Sequence, residues 1–433
     1  MRVAASGGTP QAVTTLGPQQ LNHRHPQFLP DGQRFLYYLQ STALETTGIY
    51  LGALDGSSPT RLTTGSAGVY LQGWLLWVRA GKLVAQRLDL ATATLSGTAV
   101  TLADGVASGS NRSAVSVAAT GLVAYRTGAA GVQQLRWFDR SGTARGTAGD
   151  PDGSFSSPRV SPDGRRIVVE RTVQGNTDLW LLDGPRMSRF TFDAAIDNYP
   201  LWSPDGMRIA FRSTRNGASD IYQKLTNGTG LEERLLGSDK VAAPFSWSAD
   251  GCFLLYTVVD PKSGGDLWIL PVVGDRTPSL FLQAPFREAA GVFSPDGRWV
   301  AFMSNESGRQ EIYLRPFVPP GATGKAAGAA GQWQVSTAGG IYPLWRPDGK
   351  ELYYLNPEGV MMAAPISVTG ATPMPGAPAR LFPTRILGGG VEALQGRQYD
   401  VAHDGRFLIN TELDGAAAPI TLIQNWKPEA NRQ

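Results

Sequence analysis

The chain holds 433 residues, and a prior of about 150 residues per domain points to two or three domains. Its 52 glycines and 30 prolines exclude a long-helix protein, since these residues are the poorest in helix interiors, while 11 Trp, 13 Tyr and 16 Phe exclude a disordered chain. A net charge of +3, spread along the whole length with no basic stripe, argues against nucleic acid as a partner.

What remains is a large all-β protein with many turns. No apolar run approaches the ~18 residues of a membrane helix, and the N-terminal residues form no apolar signal core, so no membrane insertion by this chain is expected. The single cysteine, Cys252, excludes an intramolecular disulfide framework. It opens an apolar strand and reads as a buried structural thiol rather than a nucleophile.

In chain order, residues 28–38 form a hairpin around Asp31-Gly32. Residues 74–88 read as two strands about Ala80-Gly81, and residues 116–125 as two about Thr120-Gly121. A stronger repeat then begins. Ser161-Pro162-Asp163-Gly164, Ser203-Pro204-Asp205-Gly206 and Ser294-Pro295-Asp296-Gly297 are each followed by an apolar, β-branched or aromatic run. Looser copies centre on Asp250, Asp348 and Asp404. Proline presets φ, aspartate bonds its own backbone and glycine takes the left-handed position, so each motif is a hairpin turn. A second marker follows each turn by about 15 residues: Asp178-Leu179-Trp180, Asp220-Ile221-Tyr222, Asp266-Leu267-Trp268 and Glu311-Ile312-Tyr313. Four short strands per unit of ~40–45 residues predict a β-propeller of four-stranded antiparallel blades.

Counting every unit gives nine, near residues 31, 80, 120, 163, 205, 250, 296, 348 and 404. One closed ring typically has four to eight blades. The last unit supplies strands at 398–401, 406–410 and 420–426, and lacks a fourth; a spare strand lies at 144–148. Pairing these ends predicts a six-bladed ring over residues 143–433, with both sheet edges removed. Residues 1–141 then hold about three blades, preceded by stray strands at 2–5 and 11–14, and this partial propeller is expected to be the remnant of a truncated gene model.

At the Ser-Pro-Asp-Gly turns and the apolar strands after them, the chain resembles the TolB-type β-propeller repeat family. His25-Pro26-Gln27-Phe28-Leu29-Pro30-Asp31-Gly32, Leu135-Arg136-Trp137-Phe138-Asp139, Asn305-Glu306-Ser307-Gly308 and Ile420-Thr421-Leu422 look most like the propeller that follows the kinase domain in bacterial receptor-like Ser/Thr kinases. That resemblance implies an extracytoplasmic or periplasmic sensor or interaction module, joined in cis to an upstream kinase, with an unknown protein, peptide or glycan as ligand. A TolB-like envelope interaction protein is the alternative, and the propeller of a prolyl-oligopeptidase-type peptidase a further one.

The chain itself shows no catalytic pattern. It has no kinase phosphate loop or His-Arg-Asp loop, and no serine has glycine at both −2 and +2. Three histidines, His23, His25 and His403, lack a converging carboxylate, so a metal site is not expected. Gly321-Ala322-Thr323-Gly324-Lys325 lacks the remaining positions of a phosphate loop and reads as a connector. No cofactor is implied. The repeated acids Asp178, Asp220, Asp266 and Glu311, like the turn residues Asp163, Asp205, Asp250, Asp296 and Asp348, read as scaffold, because features present in every repeat serve the repeat. Function is expected where blades differ. The segments joining second and third strands differ, and Arg212, Arg215, Lys262, Glu306 and Arg309 are the candidate binding face.

Overall fold

The computed structural model describes residues 2–426, except 4–5, 10, 18–19, 42–45, 66–67, 80, 107, 110–111, 128–131, 174–175, 218, 261–262, 321–330, 370–371, 387–388, 390–395, 414–419 and 425. Every regular element among these residues is a strand, and the sheets are antiparallel, with neighbours mostly in chain order. The chain divides into two compact units, one of residues 133–413 and one of residues 1–132 with 414–433.

Among the described residues, the smaller unit contains two four-stranded sheets, one of three strands and a short pair, Ser108–Gly109 with Arg112–Ser113. The first comprises Gln20–Phe28, Arg34–Ser41, Gly48–Ala53 and Thr60–Thr63; the second comprises Val69–Leu71, Trp74–Arg79, Lys82–Asp89 and Thr94–Ala103. Leu36, Ile49, Leu75 and Trp77 fill the space between them. The third joins Val115–Val117 and Val123–Arg126 to Ile420–Ile423. The expected stray N-terminal strands reduce to one bridge, Arg2 with Gln11.

The larger unit contains six sheets, here numbered I to VI. Their innermost strands are Phe155–Val160, Asp197–Trp202, Ala242–Trp247, Glu288–Phe293, Ile341–Trp345 and Tyr399–Val401. Apolar side chains pack between consecutive sheets. Leu179 and Phe211 join I to II, Ile221 and Leu254 join II to III, and Leu267 and Phe302 join III to IV. Ile312, Leu352, Tyr399 and Phe407 carry the packing from IV through V to VI. Leu408 and Leu135 of VI then meet Val169 and Leu182 of I, and the circle closes. Each sheet lends both faces to neighbours, so its central strands read as nearly continuous apolar runs; Trp299–Ser304 is buried at every residue.

The turns take the expected form. In sheet II, Asp205 Oδ1 accepts the Ser203 hydroxyl at 2.5 Å and the Met207 N–H at 2.9 Å, while Gly206 sits at φ 68°. Asp163, Asp250 and Asp296 repeat this with Ser161, Ser248 and Ser294. Before Asp348 the serine position is taken by Arg346; Asp348 accepts the Lys350 N–H at 3.1 Å and is ion-paired with Arg346 Nε at 3.4 Å.

Sheet VI corrects the expected closure. Its order is Tyr399–Val401, Phe407–Glu412, Gln133–Phe138, Ala144–Asp152. The strand at 144–148 does not pair with 420–426. It pairs with 133–138 across a tight hairpin, where Asp139 Oδ1 accepts the N–H groups of Ser141 and Thr143 at 2.9 and 3.0 Å. Residues 420–423 pair instead with 123–126. A third strand is flanked on both sides and needs a buried run, which Gln133, Gln134 and Leu135 provide. Ile420 and Leu422 are 70% and 51% exposed, a pattern that suits an edge.

Candidate functional site

In five of the six innermost strands of the larger unit a bulge interrupts the register with the second strand. In four of these Ser157, Tyr199, Ala290 and Tyr342 take left-handed φ of 47° to 54°. Such backbone costs an L-residue about 1–3 kcal/mol. Proline follows in three of the four strands (Pro158, Pro200, Pro343). It fits there because the innermost strand is a sheet edge, where the missing N–H leaves no ladder bond unmade. The bulge re-aims the rest of the strand.

The penultimate residue of each innermost strand is then diagnostic. In sheets II to V it is Leu201, Ser246, Val292 and Leu344; in sheets I and VI it is Arg159 and Asp400. Arg159 is 4% exposed. Its Nη1 donates to the carbonyls of Pro158 and Arg397 at 2.8 and 3.0 Å. Asp400 Oδ2 accepts the Val160 N–H at 2.7 Å, and Oδ1 accepts Arg397 Nη2 at 3.2 Å. Arg397 also donates from Nε to the Tyr399 carbonyl at 3.0 Å. Glu170 Oε1 accepts the Tyr199 N–H at 2.7 Å, and Oε2 the Ser156 hydroxyl at 2.8 Å.

Charge is unevenly matched here. Burial, with the Arg397 guanidinium beside it, pulls Arg159 down to about 9, against the opposing pull of Asp400, Glu170 and Tyr342. Burial likewise raises Glu170 and lowers Arg212 from their usual values. Arg159, Arg397 and Asp400 line an open recess of about 290 Å3 whose other walls include Val160, Leu201, Trp202 and Val401. His403 lines it too.

The sequence-predicted rim residues fall into different sheets. Arg212 of sheet II donates from Nε to the Ser219 hydroxyl at 2.7 Å. Arg215 is committed to packing: Nη2 meets both Asp197 oxygens at 3.0 Å, Nη1 pairs with Glu232, and its guanidinium lies 4.4 Å from the Tyr222 ring centre. In sheet IV, Glu306 accepts Gln332 Nε2 at 2.6 Å, and the exposed Arg309 pairs with Glu311 at 2.7 Å. Lys262 and the 321–325 segment lie outside the described residues.

The repeated acids sit at the start of a third strand, Asp178 two residues in and the others at its first residue, and hold its sheet together. Asp178 accepts from Arg189 at 2.6 Å, Asp220 from the Ser238 N–H at 3.1 Å, Asp266 from Gln283 at 3.0 Å and Glu311 from the Gly339 N–H at 2.9 Å. His23 contacts Thr14 and Gln20, in a different unit from His403. No cluster of three or more His, Cys, Asp or Glu among the described residues could hold a metal ion. Cys252 is half-buried rather than buried, because it ends the turn instead of entering the strand, with Sγ 3.7 Å from the Asp250 carbonyl.

Sequence reasoning missed Arg159, Arg397, Asp400 and Glu170. The signal was present, since aligning Pro158-Arg159-Val160-Ser161 with Pro200-Leu201-Trp202-Ser203 exposes a charge in an apolar column.

Residues 121–265 match the TolB beta propeller domain family. A curated relative, tricorn protease homolog 1 of Streptomyces coelicolor, is 34% identical over 134 residues, 26% of this chain; the match spans only 12% of that relative's length. A TolB-type protein from Agrobacterium tumefaciens is 18% identical with a TM-score of 0.52, over 66% of this chain and 99% of its own. TolB from Acinetobacter baumannii is 16% identical with a TM-score of 0.39, over 62% of this chain and 65% of its own. With its four-stranded antiparallel blades, this chain is an all-β propeller protein, similar over residues 121–265 to the TolB beta propeller domain.

Proposed function

We propose that the chain is a binding module whose ligand enters the recess between the innermost strands of the larger unit. One observation carries this reading: Arg159 and Asp400 stand where Leu201, Val292 and Leu344 stand in other sheets. The apolar residues satisfy the fold, so a buried charge at the same position costs stability with no packing return. A thermal-shift panel of peptides, glycans and small organic molecules tests it, run on the wild type and on Arg159→Leu, which restores the residue type of the sibling sheets. Stabilising compounds are expected for the wild type and lost in the variant. Compounds that stabilise both equally refute the site.

Three finer readings set this module in a longer protein. Sequence resemblance supports the sensor part of a bacterial receptor-like Ser/Thr kinase; an in-frame kinase and membrane helix upstream is the expected finding, and a signal peptide with an α/β domain favours the TolB-like envelope protein instead. The similarity to the tricorn homolog supports a propeller attached to a peptidase. Peptide hydrolysis by the full gene product tests that reading.

A further inference from the structure

The Arg159 guanidinium is partnered on one side only. Nη1 is taken by two backbone carbonyls, while Nε and Nη2 have no protein partner among the described residues. Neither atom is sealed in the interior, since the buried polar atoms without partners do not include them. Arg159 lines the recess, and what little of its surface is exposed belongs to a side chain with these two donors unspent. Nε and Nη2 form the side-on edge of the fork, two parallel N–H donors that match the two oxygens of a carboxylate.

Asp400 does not fill that edge: its oxygens accept from the Val160 N–H and from Arg397, and no hydrogen bond joins it to Arg159. Arg397, whose side chain is 5% exposed, adds a second positive charge. The Pro158 and Arg397 carbonyls occupy the other edge of the Arg159 fork, so a third or fourth ligand oxygen meets acceptors rather than donors. This favours a planar carboxylate over a tetrahedral anion. The remaining walls are mixed, with Val160, Leu201, Trp202 and Val401 beside Ser161 and His403, and about 290 Å3 has room for a short hydrocarbon substituent on the apolar side.

We propose that the recess binds a carboxylate bearing a small apolar group, with Arg159 as the side-on clamp and Arg397 as supporting charge. The proposal rests on the binding-module reading and names its ligand chemistry. Two sources share that chemistry, a free branched-chain acid and the C-terminus of a peptide.

The test is calorimetric titration of the full chain with isovalerate, isovaleramide, N-acetyl-leucine, N-acetyl-leucinamide and inorganic phosphate. The acids are expected to bind at least tenfold more tightly than their amides and than phosphate. Tighter isovalerate assigns the site to a free acid, and tighter N-acetyl-leucine to a chain terminus; either supports the proposal. Arg159→Leu is expected to abolish acid binding, and Arg159→Lys, which keeps the charge but not the fork, to weaken it at least tenfold while leaving the circular dichroism unchanged. Amides or phosphate binding as well as the acids overturns the proposal, as does Arg159→Lys binding like the wild type. If neutral panel compounds bind in an Arg159-dependent way while carboxylates do not, the carboxylate assignment fails and the binding module stands.

Discussion

Closure of the six-sheet unit depends on residues 133–138 joining strands that come from the other end of the same unit, and Leu135→Ala probes that joint. Leu135 is fully buried, packed with Leu182, Val169 and Leu408 between sheets VI and I. Losing about three buried carbons at ~0.8 kcal/mol each removes roughly 2.4 kcal/mol of transfer free energy. A residual void of about 60 Å3 at ~24 cal/mol per Å3 adds roughly 1.5 kcal/mol. The expected loss is therefore about 4 kcal/mol, inside the range for buried Leu→Ala changes. Two compact units make a single melting temperature ill-defined, so the assay is native-state hydrogen exchange read by peptide. Protection should fall in 407–412 and 133–138 and hold in 123–126. Ile423→Ala, on the strand that pairs with Val123–Arg126, should do the reverse. If Ile423→Ala lowers protection of 407–412, or if Leu135→Ala leaves it untouched, the assigned pairing is wrong.

Glu288 is buried with one carboxylate oxygen unpartnered, and burial, aided by Asp266 and Glu306, raises it to about 7. The folded state thus holds a proton that the unfolded chain releases near 4.5, so stability contributed by this group is present below that pH and is lost as pH rises to about 7, by roughly 3 kcal/mol. Urea titrations should show a decline between pH 5 and 8 that Glu288→Gln removes; an unchanged slope in the variant refutes the assignment. Ala290→Gly should be neutral or stabilising by up to about 1 kcal/mol, because φ there is 53°, whereas Ala210→Gly in a regular strand should cost about 1 kcal/mol or more. Equal losses in denaturant midpoints would refute the strained bulge. Asp220→Ala, which strands the Ser238 N–H and Arg234, should cost about 2 kcal/mol and leave ligand affinity unaltered. A loss of affinity in the folded variant would make the repeated acids part of the site.

The sequence alone determined the class, the repeat and the turn chemistry, because each is local. A Ser-Pro-Asp-Gly turn needs only its own few residues to bond, as Asp205 does with Ser203 and Met207. The apolar, β-branched or aromatic runs that follow the turns then declare the strands. Tertiary structure decided what depends on residues far apart in the chain. Both 133–138 and 420–426 have strand-forming composition, and only burial on two faces against an exposed edge separates the third strand of sheet VI from the last strand of the smaller unit. The candidate site follows the same rule. Arg212 and Arg215 look like free rim cations in the sequence, yet Arg215 spends its charge on Asp197 and Glu232. Arg159 and Asp400 lie 241 positions apart and acquire meaning only when ring closure sets them on neighbouring strands. Local bonding is written in neighbouring residues, whereas the environment of a charge depends on which distant strands the closed ring brings beside it.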